Sequence, residues 1–346
     1  MIQNVQILPR NETYWQDNEW KKLLSEAISS PEQLLSLVGL DINQLPYTLD
    51  NTPKFIQKVP TPYIERMTLS DPYDPLLLQV LSLAEESVLK NGFSQDPLSE
   101  HSSALPGLLH KYNSRVLVML ATSCAINCRY CFRREFPYKD NQLGKAGKEQ
   151  ILHYLTQHPE VNEVILSGGD PLMVNDKVLA EFLHSLSTIN TVKRVRIHTR
   201  LPLVIPQRIT ESLVKLLQST PLQTVMVLHI NHPNEIDKTF SRAMYRLHKA
   251  GVSLLNQSVL LKGINDNVET LSLLSEKLFD THILPYYIHL LDKVKGAHHF
   301  EVDEKEAKII IKKLQQNVAG FLVPKLVREI GGEKSKTLIN LHESNQ

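Results

Sequence analysis

No stretch of the chain approaches the roughly 18 consecutive apolar residues of a transmembrane helix. The start, Met1-Ile-Gln-Asn-Val-Gln-Ile-Leu-Pro-Arg10, lacks the basic-then-apolar layout of a secretory leader. A cytoplasmic protein with no membrane partner is therefore expected. There is no charge bias either: 38 Lys+Arg against 37 Asp+Glu give a formal charge of +1, so no global field draws in nucleic acid or an anionic surface. Low-complexity segments and short repeats are missing. Cysteine is scarce, three in 346 residues, and all three fall between Cys124 and Cys131. A disulfide framework uses an even count spread along the chain, so these thiols are placed for chemistry.

What is present is ordinary globular material, 42% hydrophobic and 22% charged. Its length suits about two domains, or one large α/β barrel with an appendage. The first hundred residues read as helical and loop-rich. Ser30-Pro31-Glu32-Gln33 combines an N-cap, a proline at the first helical position and a reciprocal Gln, with Gly39 closing the helix. Pro60, Pro62, Pro72 and Pro75 break the next stretch before an apolar-periodic run, Leu76 to Leu89. A boundary near Pro106-Gly107 separates residues 1–106 from 107–346.

Beyond it, β-rich runs begin at Arg115, Glu163, Val192, Thr224, Val252 and Ile283, alternating with helical periodicity that is clearest at Asn234–Ala250 and Asp303–Gln315. After the first, the runs recur about every 30 residues, the length of a βα unit. The expected class is α/β: a partial, six-unit parallel β/α barrel with an N-terminal mainly helical region. Barrel sites lie at the C-terminal ends of strands, and the unusual polar sequence lies there too. The first strand runs into the cysteines, the second into Ser167-Gly168-Gly169-Asp170-Pro171 and the third into His198-Thr199-Arg200. The fourth ends at His229-Ile230-Asn231-His232, the fifth carries Asn256-Gln257-Ser258, and the sixth leads to Asp292.

Cys124-Ala-Ile-Asn-Cys128-Arg-Tyr-Cys131 has the spacing C-x3-C-x2-C. Three thiolates on a short loop can ligate three irons of a 4Fe-4S cluster and leave the fourth iron open to a reactant. A structural zinc needs a fourth ligand, for which His110 or His198 is available. The cysteine spacing after a first strand, together with Ser167-Gly-Gly-Asp170-Pro171 after the second, resembles the radical S-adenosylmethionine (SAM) superfamily. In that superfamily the methionyl amino and carboxylate groups chelate the open iron, and the second-strand segment, here Ser167, Gly168, Gly169 and Asp170, holds the methionyl ammonium.

Longer stretches are similar to one branch, the lysine 2,3-aminomutases: Gly107-Leu-Leu-His-Lys-Tyr-Asn-Ser-Arg115, Cys128-Arg-Tyr-Cys-Phe-Arg-Arg134, Leu203-Val-Ile-Pro-Gln-Arg-Ile-Thr210, Asn256-Gln-Ser-Val-Leu-Leu261 and Pro285-Tyr-Tyr-Ile288. The resemblance implies pyridoxal 5'-phosphate (PLP) as second cofactor, carried by Lys336, which follows Gly331-Gly332 and keeps the family's distance from Glu329; Lys334 is the alternative. It implies Lys111, Tyr112 and Arg115 at the PLP phosphate, Arg133 at the substrate carboxylate, Asp292 and Glu329 at the ε-ammonium of L-lysine, and His229 and Gln257 near the adenosyl group. The family usually has Arg at position 111, Asp at 329 and His at 130, and long-chain members have a zinc cysteine where Asn267 stands. Asp71-Pro-Tyr-Asp-Pro-Leu76 and the shorter chain resemble members whose (R)-β-lysine a separate lysyl-type ligase attaches to elongation factor P. An external electron donor is implied. Two competing readings are an aminomutase for another amino acid such as glutamate, in which Asp292 and Glu329 would face a carboxylate, and a zinc-bearing binding module.

Overall fold

The computed structural model describes residues 15–50, 53–101 and 105–341; the opening decapeptide read for a leader lies outside them. Nine strands form one sheet in sequence order: β1 (Leu108–Tyr112), β2 (Arg115–Ala121), β3 (Glu163–Gly168), β4 (Arg194–Thr199), β5 (Gln223–Leu228), β6 (Ser253–Val259), β7 (Leu284–His289), β8 (Lys325–Arg328) and β9 (Thr337–Leu338). Strands β2 to β8 pair in parallel, while β1 and β9 flank them antiparallel. Helices Lys145–Gln157, Asp176–Ser187, Glu211–Ser219, Lys238–Lys249, Val268–Asp280 and Glu304–Asn317 make the crossovers that parallel pairing demands. Among the described residues no helix is long and apolar enough to cross a membrane.

The six β-rich runs of the sequence lie in β2 to β7. Three further strands were not legible: β8 is only Lys-Leu-Val-Arg, β9 is two exposed residues, and β1 carries His110 and Lys111. Such short, polar segments have too little alternation to announce themselves.

Strands in a parallel sheet are normally buried on both faces and read as continuous apolar runs. Here they alternate. In β4, Val195, Ile197 and Thr199 are buried while Arg194, Arg196 and His198 keep partial exposure; in β6, Leu254, Asn256 and Ser258 are buried while Leu255 and Gln257 are not. One face of the sheet packs on helices and the other borders a polar interior. The sheet also curls, since the hydroxyl of Tyr112 in β1 donates to Glu329 just past β8, at 3.2 Å. Its two ends meet across that interior.

The main apolar cluster joins Trp15, Trp20, Leu34, Leu77 and Leu81 to Leu179, Phe182, Leu213 and Phe240, so the N-terminal region shares a core with the helical layer. Arg246 and Arg208 lie over the rings of Trp15 and Trp20 at 5.7 and 4.8 Å, making both tryptophans core anchors. The helix capped by Ser30 runs Pro31–Leu37, with the Ser30 hydroxyl accepting from the Gln33 N–H at 3.2 Å. By contrast, Leu76–Leu89 is not one helix but two short turns, Pro75–Leu78 and Ala84–Ser87. The reason is tertiary: Gln79 and Glu86 leave helical register to serve the cysteine loop, as described below.

Candidate active site

The loop after β2 carries the cysteines and is held from several sides. The N–H groups of Gly169 and Asp170 donate to the carbonyls of Ala121 and Ser123, each at 2.8 Å. This explains the glycines, because a Cβ on Gly168 or Gly169 would stand 2.3 Å from those same carbonyl oxygens, and Gly168 has φ +114°. They bring the β3 exit onto the cysteine loop rather than opening space for a ligand. From the N-terminal region, Lys58 Nζ donates to the Cys124 carbonyl at 3.0 Å, and the Gln79 carbonyl accepts from the Arg129 N–H at 2.9 Å. The fully buried Arg129 guanidinium donates to both oxygens of Glu86 and, at 2.6 Å, to the Phe55 carbonyl.

The three thiols are free and half-buried. Burial and the neighbouring thiols push Cys124 well above the usual thiol range and Cys131 up to about 11. Thiols as reluctant to ionise alone as Cys124 and Cys131 are suited to a cationic metal centre, which deprotonates its thiol ligands outright. No group of three or more His, Cys, Asp or Glu among the described residues is spaced to hold a single metal ion. Three thiols on three separate irons need no such convergence. His110, a possible fourth zinc ligand, is instead hydrogen-bonded to the Tyr154 hydroxyl at 2.8 Å.

Asp170 departs from its expected availability. Its buried carboxylate accepts from the Thr199 hydroxyl at 2.7 and 2.9 Å and from the N–H groups of Leu172, Arg200 and Leu201 at 3.0, 2.8 and 2.9 Å. Four donors saturate a carboxylate's roughly four acceptor positions. Asp170 therefore braces the β3 and β4 exits and positions the Ser167-Gly168-Gly169 backbone.

Across the interior, the remaining candidates converge. Lys336 Nζ lies on a Glu329 oxygen whose partner oxygen takes the Tyr112 hydroxyl. Lys334 is exposed to solvent. Arg115 stacks its guanidinium on the Tyr112 ring at 4.0 Å and has no hydrogen-bond or ion-pair partner among the described residues. Lys111 donates to Glu100 at 2.8 Å, and the other Glu100 oxygen takes Arg133 Nε at 2.7 Å. Arg133 Nη1 reaches the Ser167 hydroxyl at 3.2 Å, leaving Nη2 without a hydrogen-bond partner among the described residues. Burial pushes Glu329 and Glu100 upward, but the adjoining cations outweigh it and hold both below the usual carboxylate range. Asp292 is different: burial, then the charge of Glu329, push it up to about 7. A cavity of about 420 Å³ opens beside Asp292 and Glu329, lined also by Leu98, Lys293, Arg328 and Gly331.

Between the two sides lie buried polar atoms with no partner: Nε2 of His198, His229 and His289, and Oε1 of Gln257. They come from four consecutive strand ends, β4 to β7. Burial and nearby cations lower all three imidazoles, His229 to about 3, so these rings are neutral near pH 7. Orphaned buried groups are rare in finished cores and mark a place where a polar ligand completes the bonding.

Glu100 and His289 were not singled out from the sequence, and Arg200 was named only within the third strand end, with no role. His289 lay within reach of the strand-end rule. Glu100 sits in an irregular segment and had no signal at all.

The radical SAM superfamily model matches residues 118–274. Over 329 residues the chain is 50% identical to the L-lysine 2,3-aminomutase of Escherichia coli (strain K12), covering 95% of this chain and 96% of that one. The Haemophilus influenzae L-lysine 2,3-aminomutase is also 50% identical, over 335 residues, 96% of this chain and 99% of its own. The chain belongs to the L-lysine 2,3-aminomutase family. Identity to the Clostridium subterminale member is 34% over 322 residues, covering 92% of this chain but 77% of the relative. Membership implies a 4Fe-4S cluster, SAM and PLP, and the residues present fit them: a thiol trio, four orphaned polar atoms, a half-buried amine on Glu329 and an unpaired guanidinium stacked on Tyr112. The residues toward which family pattern and geometry pull differently are Asp170, already saturated, and Lys111, whose ammonium is engaged by Glu100. Asn267, where long-chain members have a zinc cysteine, is a helix N-cap, its side chain accepting from the Thr270 N–H at 2.8 Å.

Proposed function

We propose that this chain is an L-lysine 2,3-aminomutase, an isomerase that moves the amino group of L-lysine from C2 to C3 to give (R)-β-lysine. The observation that carries the reading is the set Lys336, Glu329 and Asp292 facing the cysteine loop across an interior lined with unpartnered polar atoms. When bound, the cluster and SAM supply a carbon radical that takes and returns a C3 hydrogen, and PLP supplies the π-system across which nitrogen migrates.

The chain's own residues bind and orient. Cys124, Cys128 and Cys131 hold the cluster, while Ser167, Gly168 and Gly169, braced by Asp170, supply the backbone edge for the methionyl group. His229 and Gln257 complete the polar contacts of the adenosyl group. Lys336 carries PLP, and Arg115, with Tyr112 beneath it and Lys111 adding charge, grips the phosphate in a planar fork. Arg133 offers its open Nη edge to the substrate carboxylate. Asp292 and Glu329 take the ε-ammonium, whose burial without an anion is strongly unfavourable. A glutamate side chain would meet those two acids with like charge, which favours lysine as substrate.

In this reading residues 107–346 form a six-unit partial barrel ending in the lysine segment, and residues 1–106 are a mainly helical flank that clamps the cysteine loop. The 50% identity to the E. coli and H. influenzae relatives, against 34% to the Clostridium one, supports likeness to the first two. We place the chain in the cytoplasm as an elongation factor P (R)-β-lysylation protein B, fed by an external one-electron donor, its product consumed by the lysyl-type ligase.

The test is an anaerobic assay of iron-reconstituted protein with L-lysine, SAM, PLP and dithionite, following β-lysine. Lys336→Ala is expected to abolish product and PLP absorbance, a loss of at least about 10³-fold, and Lys334→Ala to change neither. If 5'-deoxyadenosine forms without β-lysine, the assigned substrate falls.

A further inference from the structure

One arginine has a position that the substrate and cofactor roles above do not use. Arg200 follows β4 and is 7% exposed. Its Nη1 donates to the Sγ of Cys128 at 2.7 Å and to the Tyr130 hydroxyl. Its Nη2 is locked from behind by Glu235 Oε1 at 2.5 Å, Gln79 Oε1 at 2.9 Å and the Tyr63 hydroxyl at 3.2 Å. Glu235 is fully buried and is itself fixed, its second oxygen accepting the N–H groups of Asn231 and His232 at 2.7 and 2.9 Å. The Tyr63 hydroxyl adds a bond to Glu235 at 3.0 Å. Among the described residues both Nη groups of Arg200 are thus engaged, and Nη1 alone reaches a cysteine sulfur.

We propose that Arg200 is a positioning residue for electron transfer, holding a fixed cationic hydrogen bond on the Cys128 thiolate that raises the reduction potential of the 4Fe-4S cluster. The inference rests on the reading that Cys124, Cys128 and Cys131 carry that cluster. Reduction adds one electron, from a low-potential one-electron donor, with no bond made or broken in the protein. The added negative charge spreads onto the thiolate sulfurs, so a cation donating to sulfur stabilises the reduced form more than the oxidised one. Because the guanidinium is buried and held at its far side, it pays no reorganisation as the electron arrives. Glu235 keeps the cation soluble in the interior but stands behind it, farther from the sulfur. A merely structural role for Arg200, tying the β4 exit to the N-terminal region, predicts no effect on potential.

The test is an EPR-monitored redox titration of the reconstituted full-length protein, using mediators and dithionite, with iron and sulfide content measured on each sample. Two variants are compared with the unaltered chain. Arg200→Gln/Glu235→Gln removes both charges together and so leaves no uncompensated ion. Arg200→Lys keeps the charge for Glu235 and Gln79 but gives up the fork that reaches sulfur. In both, the ratio of reduced to oxidised cluster at fixed potential is expected to fall, about tenfold in the double variant, which is about 59 mV for a one-electron couple. An unshifted midpoint in variants with full iron and sulfide overturns the proposal, whatever their activity. If the unaltered chain assembles no four-iron cluster, the functional reading fails instead, and the two failures are told apart by the metal analysis.

Discussion

The cysteine side of the mouth and the lysine side are both crowded with charge, yet they are wired differently. Around the cysteines, Arg129, Arg200, Glu86, Glu235 and Asp170 are buried and turn their charge on partners within the protein. Around Lys336, the network has loose ends: Arg115 stacked but unpaired, Arg133 with an open Nη2, Asp292 raised to about 7. A charge whose partners are all internal cannot move without orphaning something, so the first side is a rigid frame. A charge with an open edge is one a ligand can complete. In the proposed reading, the difference separates the part that holds a cluster still from the part that exchanges substrate and product.

The largest effect should come from cutting the frame. Glu235→Ala leaves Arg200 and the Asn231 and His232 N–H groups unanswered in the interior, and removing one partner of a buried pair costs about 3–5 kcal/mol. Urea unfolding of the full chain should show that loss, whereas Lys336→Ala should cost less, because its partner Glu329 keeps the Tyr112 hydroxyl and has Lys111 at 4.0 Å. Equal losses at the two sites would erase the contrast.

The same contrast explains what was legible in the sequence. The cysteines, the Gly-Gly-Asp segment and the strand ends were readable because their meaning lies in local spacing. Arg200 was seen only as part of a strand end, because its partners Gln79 and Cys128 lie 121 and 72 residues away. Glu100 was invisible for a similar reason, as a charged residue in a loop reads as solvated until Arg133 and Lys111 are folded against it. Asp170 was found by motif, but a motif does not say which way a carboxylate faces. Leu76–Leu89 has helical periodicity, yet the side chains of Gln79 and Glu86 are worth more to the cysteine loop than to a helix. Six of the seven parallel strands were plain, and β8 was not, because two buried residues cannot display a period.

A second, smaller effect sharpens the lysine side. Asp292→Asn removes a group that must be ionised to receive an ammonium, and kcat/KM for L-lysine should fall about 10²-fold, near 2.7 kcal/mol. In the unaltered enzyme KM for lysine should fall as pH rises through about 7, where Asp292 loses its proton, and the variant should lack that dependence. The stability sign is opposite. With a folded pKa near 7 against an unfolded value of about 3.9, the folded chain keeps a proton the unfolded chain has lost. Stability therefore declines from about pH 4 to pH 7 and levels off above. Asp292→Asn should be the more stable protein at pH 8, by roughly 4 kcal/mol, a cost of function made visible. Thermal melts at pH 5 and pH 8 check it, and a variant no more stable at pH 8 would show Asp292 already paired.

The smallest effect belongs to Glu100, which stands between the two plans. It is buried like the frame, yet the cations it joins, Lys111 and Arg133, face the open interior. Because it takes Nε of Arg133, it leaves the Nη edge directed at the interior, and a guanidinium so fixed loses less freedom on gripping a carboxylate. Glu100→Gln keeps the shape but gives up one charge-assisted bond, so Arg133 and Lys111 gain freedom without losing their own charge. The KM for L-lysine should rise about tenfold, roughly 1.4 kcal/mol, with kcat changed much less, as expected for an interaction common to ground and transition states. A fall in KM would instead show Glu100 competing with the substrate carboxylate for Arg133, which would move it from the frame to the exchangeable side and redraw the boundary between them.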